Sequence, residues 1–443
     1  MRPMTTKTFH IANFGCRASQ SEGASIQDEL VGQGAGVSDS PYSANVVVVN
    51  SCTVTEEADR DVRQLIHRVS SRNPESRIIV TGCYAQRAPE EIAALPGVSY
   101  VVGNSHKPRV GQITLSALED DSAATGRAEI YCSDIFEERT LPSRAYAGSG
   151  GRTRAVVKIQ DGCNARCSFC IIPSVRGYGR SMEATAVIAE IQGLVEREYK
   201  EVVLSGIHLG SWGRDLRKGQ PLSELVLQIL DEVPDLERIR LSSIEPLEVT
   251  PDLISLVARE PRIAHHMHVP LQSGSTRILR QMRRPYTAGY YAELLSGIRS
   301  KIEDAAIGAD VMVGFPGESD QDFSETYQLI ENSPLTYLHV FPYSARPGTP
   351  AAEMSSPVPQ HVARFRSKAL RKLITGKNEE FRRKMIGREL EALVLTSGEA
   401  ISNNFIKIYP TQELVPNQWT SLRPTALQDD GLTAKVVMKP GGQ

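Results

Sequence analysis

The feature that most constrains the fold is the alternation of short apolar runs with longer amphipathic segments over the first hundred residues. The apolar runs predict strands at residues 8–13, 45–49 and 77–81. The segments that follow them predict helices at residues 19–31, 57–71 and 89–94. Because strands and helices alternate, the chain is expected to begin with a doubly wound parallel sheet that carries helices on both faces.

A cysteine follows each of these three strands within a few residues. The three are Cys16, Cys52 and Cys83. In open α/β sheets the loops at the carboxyl ends of the strands form the ligand crevice. The three thiols are therefore expected to converge, although a free cysteine is also often buried simply as a small apolar side chain.

A second α/β series begins near Arg154. Its strand candidates are residues 155–159, 201–205, 238–242, 265–269, 307–313 and 337–341. Six such units predict a partial (β/α)6 barrel whose active site lies at the carboxyl ends of the strands. Residues 118–148 between the two series are expected to be a linker, since they are rich in Ser, Ala and Gly and acidic at their start.

The remainder of the chain predicts a basic helix followed by a small all-β barrel. The stretch 361–388 holds ten Lys or Arg and two acidic residues. Short strands are predicted at residues 391–395, 405–409 and 433–437. The expected domains are therefore 5–117, 149–376 and 377–440, with the linker between the first two.

Composition narrows the class of protein. Hydrophobic residues make up 40% of the chain and charged residues 23%, and the net charge is −2, so a nucleic acid must bind to a local basic surface. The densest apolar run, 46–49, is far too short to span a membrane, and no secretory signal is visible. We expect a cytoplasmic protein whose seven cysteines stay reduced, so metal or cluster ligation is a better use for them than disulfides.

The sharpest local pattern is the octet at 163–170, in which Cys163, Cys167 and Cys170 have the spacing C-x3-C-x2-C. Four-iron clusters usually take four thiolates, so three leave one iron open to an exogenous ligand. A structural zinc site is less favoured, because it needs a fourth ligand and none of Cys, His, Asp or Glu occurs in 171–179.

This octet resembles the signature of radical S-adenosylmethionine (SAM) enzymes. The resemblance implies that Cys163, Cys167 and Cys170 hold a [4Fe–4S] cluster whose open iron chelates SAM, and that reduction yields a 5′-deoxyadenosyl radical. An aromatic residue before the last cysteine is usual in that family and packs near the adenine; here it is Phe169.

The motifs around the first three cysteines are similar to those of methylthiotransferases. The matching stretches are 14–16, 50–55 and 81–86. The resemblance implies that Cys16, Cys52 and Cys83 hold an auxiliary [4Fe–4S] cluster, also with one open iron. The family commonly carries Asn where this chain has Ser19, which affects the surroundings of the first cysteine rather than ligation. Cys132 matches no motif and has no assigned role.

Further segments extend this resemblance over nearly the whole chain. They are residues 158–164, 171–173, 176–181, 205–210, 241–246, 268–275, 310–318 and 341–350. They look like the branch that converts N6-threonylcarbamoyladenosine at position 37 of tRNA to its 2-methylthio form. One SAM would yield the radical and a second would supply the methyl group. Alternatives with the same chemistry are N6-isopentenyladenosine in tRNA and an aspartate of a ribosomal protein.

Further contacts to SAM are expected from residues that allow close backbone approach or hydrogen bonding. The candidates are Phe169, Gly206, Glu245, Gln272 and Gly314, for which ordinary structural roles are the alternative. Radical hydrogen abstraction needs no strong general base, so no residue is assigned as an acid or base catalyst.

The end of the chain looks like a TRAM domain, a small RNA-binding β-barrel. We expect the tRNA anticodon loop as the partner, because unpaired RNA exposes bases that fit a pocket. Arg283 and Arg284 offer a second basic spot. An external electron donor and a monomeric state are also expected, whereas the source of sulfur is left open. A zinc-stabilised RNA-binding module without catalysis is the alternative from another class.

Overall fold

A computed structural model describes residues 7–120, 127–141, 153–217 and 219–437. The chain divides into two compact units. Unit 1 comprises Met1–Gly150, Gln160–Met182 and Ser344–Ala352, and unit 2 comprises Gly151–Ile159, Glu183–Tyr343 and Glu353–Gln443. The division passes through strand β7, so the sequence that carries the octet belongs to unit 1.

Unit 1 contains a parallel sheet with the order β2-β1-β3-β4-β5-β6. Its strands are β1 (Thr8–Asn13), β2 (Gly36–Val37), β3 (Val46–Ser51), β4 (Arg77–Gly82), β5 (Val98–Val102) and β6 (Glu129–Tyr131). The strand β7 (Arg154–Asp161) then pairs at its carboxyl end with the short antiparallel strand β8 (Arg180–Ser181). The central strands β3 and β4 are fully buried, as expected for strands covered on both faces.

The helices of unit 1 lie on both faces of this sheet. They are α1 (Arg17–Gly32), α2 (Glu56–Arg72), α3 (Cys83–Arg87), α4 (Pro89–Ala93), α5 (Val110–Glu119) and α6 (Ile172–Arg176). One apolar core joins α2 and α4 to the sheet, and a second joins α1 and α5 to it. This arrangement confirms the predicted doubly wound α/β fold.

Part of the predicted linker is regular structure. Residues 129–131 form β6, which extends the sheet by pairing in parallel with β5. The physical reason is that Tyr131 packs its ring against the core of α1 and α5. The acidic start of the linker beyond Asp120 and the glycine-rich run 147–151 lie outside the described residues.

Unit 2 contains the six predicted strands of the partial barrel. Residues 154–159 of β7 are followed by β9 (Glu201–Gly206), β10 (Arg238–Leu241), β11 (His266–His268), β12 (Ala306–Val313) and β13 (Tyr337–Pro342). The sheet orders are β10-β9-β7 and β11-β12-β13. Isolated parallel bridges, including one between Ser243 and His268, link the two groups.

Helices separate these strands and continue after them. They are α7 (Ala184–Val195), α8 (Leu222–Glu232), α9 (Pro251–Arg259), α10 (Thr276–Gln281), α11 (Ala288–Lys301), α12 (Asp320–Asn332) and the basic helix α13 (Gln360–Arg383). The partial (β/α)6 barrel is thus confirmed.

The chain ends in a closed five-stranded barrel, as the predicted all-β domain requires. Its strands are β14 (Leu390–Val394), β15 (Ala400–Ser402), β16 (Lys407–Pro410), β17 (Trp419–Gln428) and β18 (Gly431–Val436), in the order β14-β15-β16-β18-β17. Its apolar core continues into Phe381 and Met385 at the end of α13.

Candidate functional site

The first three cysteines lie at the carboxyl edge of three neighbouring strands. Cys16 precedes α1 after β1, Cys52 directly follows β3, and Cys83 is the first residue of α3 after β4. Because β1, β3 and β4 are adjacent and parallel, their carboxyl ends meet at one edge. Cys16 is exposed, whereas Cys52 and Cys83 are buried.

Two glycines make room for this convergence. Gly15 has a φ of +101°, and a Cβ atom there would lie 3.0 Å from Sγ of Cys52. Gly82 also has a φ of +101°, and a Cβ atom there would lie 2.4 Å from the carbonyl oxygen of Ser51. A side chain at either position is disfavoured by both backbone conformation and space.

The environment of these thiols indicates a need for positive charge. Burial, followed by proximity to Cys83 and Cys16, raises the pKa of the Cys52 thiol to about 12. Three thiolates at this edge would repel one another unless a cation or metal cluster bound them. The donor set therefore fits an iron–sulfur cluster held by three cysteines.

Two buried cations lie near this edge. Lys107 Nζ is 2.5 Å from Glu22 Oε2 and 2.9 Å from Asn50 Oδ1. Burial lowers the pKa of Lys107, while the carboxylate of Glu22 acts in the opposite direction. The second cation, Arg176, interacts electrostatically with Cys83 and Cys16.

Arg176 links the surroundings of both cysteine sets. Its Nη1 lies 2.8 Å from Oε1 of Glu22 on α1 and 2.9 Å from Oδ1 of Asp161, two residues before Cys163. The side chain is only 1% exposed. The sequence analysis assigned no role to this network, because its partners are distant along the chain. The only signal in the sequence was that Arg176 begins the stretch 176–181, which resembles the methylthiotransferase family.

The octet forms a loop directly after β7. Gly162 has a φ of +70°, and a Cβ atom there would lie 2.0 Å from the carbonyl oxygen of Tyr178. The amide of Cys163 donates to the carbonyl of Gly177 at 3.1 Å, and the amide of Cys170 donates to the carbonyl of Cys167 at 3.2 Å. These bonds fold the octet back onto α6 and β8.

All six predicted cluster cysteines belong to unit 1. Cys83 packs with Ile171 and Val175, which follow the octet, and Asn104 joins the same region. Its Nδ2 donates to the carbonyl of Val175 at 2.8 Å and lies 3.7 Å from Sγ of Cys83. The half-buried Phe169 also belongs to this unit.

The other predicted SAM contacts belong to unit 2. Gln272 has a φ of +67°, and its buried Oε1 makes no hydrogen bond among the described residues. Such an unsatisfied acceptor fits a polar ligand. Gly314 has a φ of +77°, and a Cβ atom there would lie 2.7 Å from Cβ of Ala363, so it has a packing role. Gly206 ends β9.

Glu245 has a partner within the protein. Its carboxylate forms a close ion pair with Arg284, which also contacts the hydroxyl of Tyr286 at 3.1 Å. Arg284 is 9% exposed. Of the two residues expected to form a second basic spot, Arg283 is exposed, but Arg284 is held inside the protein by its ion pair with Glu245.

The basic helix α13 presents a cationic surface with one exposed ring. Arg364, Lys368 and Lys372 are exposed, and Phe365 is 69% exposed. Two of the ten basic residues counted in this stretch are buried: Arg366 pairs with Glu318, and Arg382 donates to backbone carbonyls. Exposed cations beside an exposed aromatic ring suit a nucleic acid.

Cys132 follows β6 at the same sheet. Its Sγ lies 4.0 Å from the carbonyl oxygen of Gln86, and burial raises the pKa of its thiol. The structure assigns it no ligand role.

Two family models match the chain. The uncharacterized protein family UPF0004 matches residues 8–103, and the radical SAM superfamily matches residues 157–330. Within the described residues, no helix combines the length and apolar character that crossing a membrane requires.

A solved structure supports the fold. The radical SAM methyltransferase TsrM from Kitasatospora setae aligns with a TM-score of 0.56 at 14% identity, covering 79% of this chain and 77% of that one.

Curated relatives are much closer in sequence. The threonylcarbamoyladenosine tRNA methylthiotransferase MtaB of Bacillus subtilis is 40% identical over 81% of this chain and 78% of its own. The MtaB protein of Aquifex aeolicus is 37% identical over 89% of this chain and 94% of its own. A tRNA-2-methylthio-N(6)-dimethylallyladenosine synthase of Thermobifida fusca is 36% identical over 88% of this chain and 78% of its own. The chain belongs to the MtaB family of radical SAM tRNA methylthiotransferases.

Proposed function

We propose that this enzyme methylthiolates C2 of N6-threonylcarbamoyladenosine at position 37 of tRNA. The observation that carries the proposal is the placement of two three-cysteine sets in one compact unit of a chain with MtaB relatives. Its cofactors are two [4Fe–4S] clusters and SAM. Unactivated C–H bonds at an aromatic ring resist acid–base chemistry, so the reaction relies on cofactor chemistry.

In this proposal each cysteine set has one task. The cluster that binds SAM is held by Cys163, Cys167 and Cys170. The auxiliary cluster is held by Cys16, Cys52 and Cys83. When bound, the first cluster and SAM supply a 5′-deoxyadenosyl radical, while a second SAM supplies the methyl group.

The protein itself positions and shields these groups. Gly15 and Gly82 keep side chains away from the auxiliary set. Lys107 and Arg176 offset the negative charge that thiolate ligation brings into a buried region. Phe169 is proposed to pack on the adenine of SAM, and Gln272 to offer its unsatisfied Oε1 to a polar group of SAM.

Recognition of RNA is proposed to involve α13 and the closed barrel. Phe365 can stack on an unpaired base while Arg364, Lys368 and Lys372 contact phosphates. The anticodon loop is the proposed target. We further propose that the enzyme works as a cytoplasmic monomer with an external electron donor.

The test is direct. The protein is reconstituted without oxygen and incubated with SAM, a reductant and tRNA carrying threonylcarbamoyladenosine, and the digested RNA is analysed by mass spectrometry. We expect the 2-methylthio nucleoside together with 5′-deoxyadenosine. A parallel reaction uses tRNA carrying isopentenyladenosine, because the name of the Thermobifida relative refers to N(6)-dimethylallyladenosine, in which the dimethylallyl substituent is the isopentenyl group. Modification of the isopentenyl substrate alone would overturn the proposed substrate.

A further inference from the structure

Two histidines and an aspartate converge on one face of the β11-β12-β13 sheet. His268 lies on β11, Asp310 on β12 and His339 on β13. One ligand atom from each lies within 4.8 Å of the other two. None of the three belongs to the predicted cluster ligands or SAM contacts.

The distances around Asp310 suit a shared ion. Its Oδ1 is 3.1 Å from Nδ1 of His339 and 3.3 Å from Nε2 of His268. Ligands bound to one metal at about 2.1 Å stand roughly 3.0–3.4 Å apart in octahedral or tetrahedral geometry. Two imidazoles and one carboxylate are a common donor set for divalent first-row transition metals.

The buried His268 directs one ring nitrogen toward Asp310. The His268 side chain is 8% exposed, and its Nε2 makes no hydrogen bond of acceptable geometry among the described residues, although Oδ1 of Asp310 is nearby. A metal ion between this carboxylate and Nε2 would take the lone pairs of both as ligands.

The other ring nitrogen of His268 is held in place. Its Nδ1 is 2.6 Å from Oγ of Ser243, which follows β10. Metal-binding histidines usually have their second nitrogen hydrogen-bonded in this way, because the bond fixes the tautomer and the ring orientation. The imidazole of His268 is therefore pre-oriented with Nε2 toward Asp310.

The opposite side of the cluster is open. The side chain of His339 is 65% exposed and that of Asp310 is 26% exposed. Three protein ligands leave coordination positions for water or substrate oxygens. The cluster thus resembles an accessible ligand-binding site more than a sealed structural one.

We propose that His268, Asp310 and His339 bind a divalent transition-metal ion whose open positions take oxygen atoms of the substrate's N6 substituent. The second part of this proposal, in which the ion binds substrate oxygens, rests on the proposed function. A threonylcarbamoyl group carries carboxylate, hydroxyl and urea oxygens, whereas an isopentenyl group carries none. The ion would therefore favour the oxygen-rich substituent.

The test uses Mn²⁺ as the probe and the full-length protein loaded with both iron–sulfur clusters. The clusters are kept oxidised, and the six cysteines are occupied by iron. Free Mn²⁺ is followed by electron paramagnetic resonance without RNA. We expect stoichiometric binding, and nitrogen modulation of the bound signal that changes when the histidines are labelled with ¹⁵N. His339→Gln and Asp310→Asn should each weaken binding at least about tenfold.

The matched control is His265→Gln, which removes another histidine–aspartate pair, His265 with Asp304, outside the cluster. It should bind Mn²⁺ like the wild type. Thermal melts check that all variants fold. Equal affinity in the wild type and both cluster variants, or no histidine nitrogen at the bound ion, would overturn the site.

A second step tests the substrate. The nucleoside N6-threonylcarbamoyladenosine should tighten Mn²⁺ binding, and N6-isopentenyladenosine should not. If both nucleosides act alike, substrate ligation is wrong even though the ion binds. Methylthiolation of tRNA by the wild type is measured separately, so failure of the metal site leaves the proposed function standing.

Discussion

Replacing Arg176 with alanine should destabilise the unit that holds both cysteine sets. The guanidinium is 1% exposed and bridges Glu22 and Asp161 at 2.8 and 2.9 Å. In the variant Lys107 remains beside Glu22, and Arg180 remains 3.9 Å from the carboxylate of Asp161. The substitution therefore removes a close cation from two buried carboxylates, Glu22 and Asp161.

The expected cost follows from this geometry. Breaking a buried ion pair by removing one partner costs about 3–5 kcal/mol, because the other charge stays buried. For cooperative units of 150–250 residues, about 1 kcal/mol shifts the melting temperature by roughly 2–4 °C, so a loss of about 6–20 °C is expected. Arg176→Lys keeps the charge but not the two-pronged contact and should lose about 1.5–3 kcal/mol.

The assay combines thermal melts with iron content after anaerobic reconstitution. The Arg176→Ala protein should melt earlier and hold less iron, because the network joins α1 after Cys16 to the strand before Cys163. The control is Arg60→Ala, which breaks an exposed pair with Glu57 that is worth about 0–1 kcal/mol. A melting temperature for Arg176→Ala within about 2 °C of the control would refute the reasoning.

Three further predictions concern single residues. Cys167→Ala should abolish 5′-deoxyadenosine formation while keeping the iron of the auxiliary set; normal turnover, measured by chromatography, would contradict the assignment. Cys52→Ala should still cleave SAM but not thiolate tRNA, and sulfur transfer at the wild-type rate would count against its role. Glu190→Gln should stabilise the protein increasingly as the pH rises. Burial raises the pKa of Glu190 from 4.5 to about 9, although Lys158 acts in the opposite direction. Between these two values the folded state of the wild type binds more protons than the unfolded state, so the wild type loses stability as the pH rises. The variant's advantage in thermal melts should grow by up to about 1.4 kcal/mol per pH unit between pH 6 and 8, and parallel curves for the two proteins would disprove it.

Local sequence patterns predicted most of the regular structure correctly. Buried runs such as 77–81 stand out because strands covered on both faces are continuously apolar, and the observed β4 (Arg77–Gly82) matches within one residue. The convergence of Cys16, Cys52 and Cys83 was predictable for a related reason, since parallel strands present their carboxyl ends at one edge.

Features that depend on distant contacts were not predictable in this way. The partners of Arg176 include Glu22, which lies 154 positions earlier in the chain. The cluster of His268, Asp310 and His339 likewise requires the register of three strands, which no single stretch contains.

The C-terminal barrel shows a different limit. Three of its five strands were predicted, and the two that were missed are β15 and β17. Strand β15 has only three residues, and β17 contains Pro424 beside an irregularity in its pairing with β18. Proline argues against a strand in sequence patterns, whereas the barrel accommodates it at that irregularity.

Closure of this barrel has a consequence for association. Within residues 390–436, each strand pairs on both sides, with β16 and β18 joined in parallel and the other neighbours antiparallel. A closed sheet offers no row of unpaired amides and carbonyls onto which another chain can add a strand. The barrel is thereby protected against edge-to-edge aggregation, and its contacts must be made by side chains and loops.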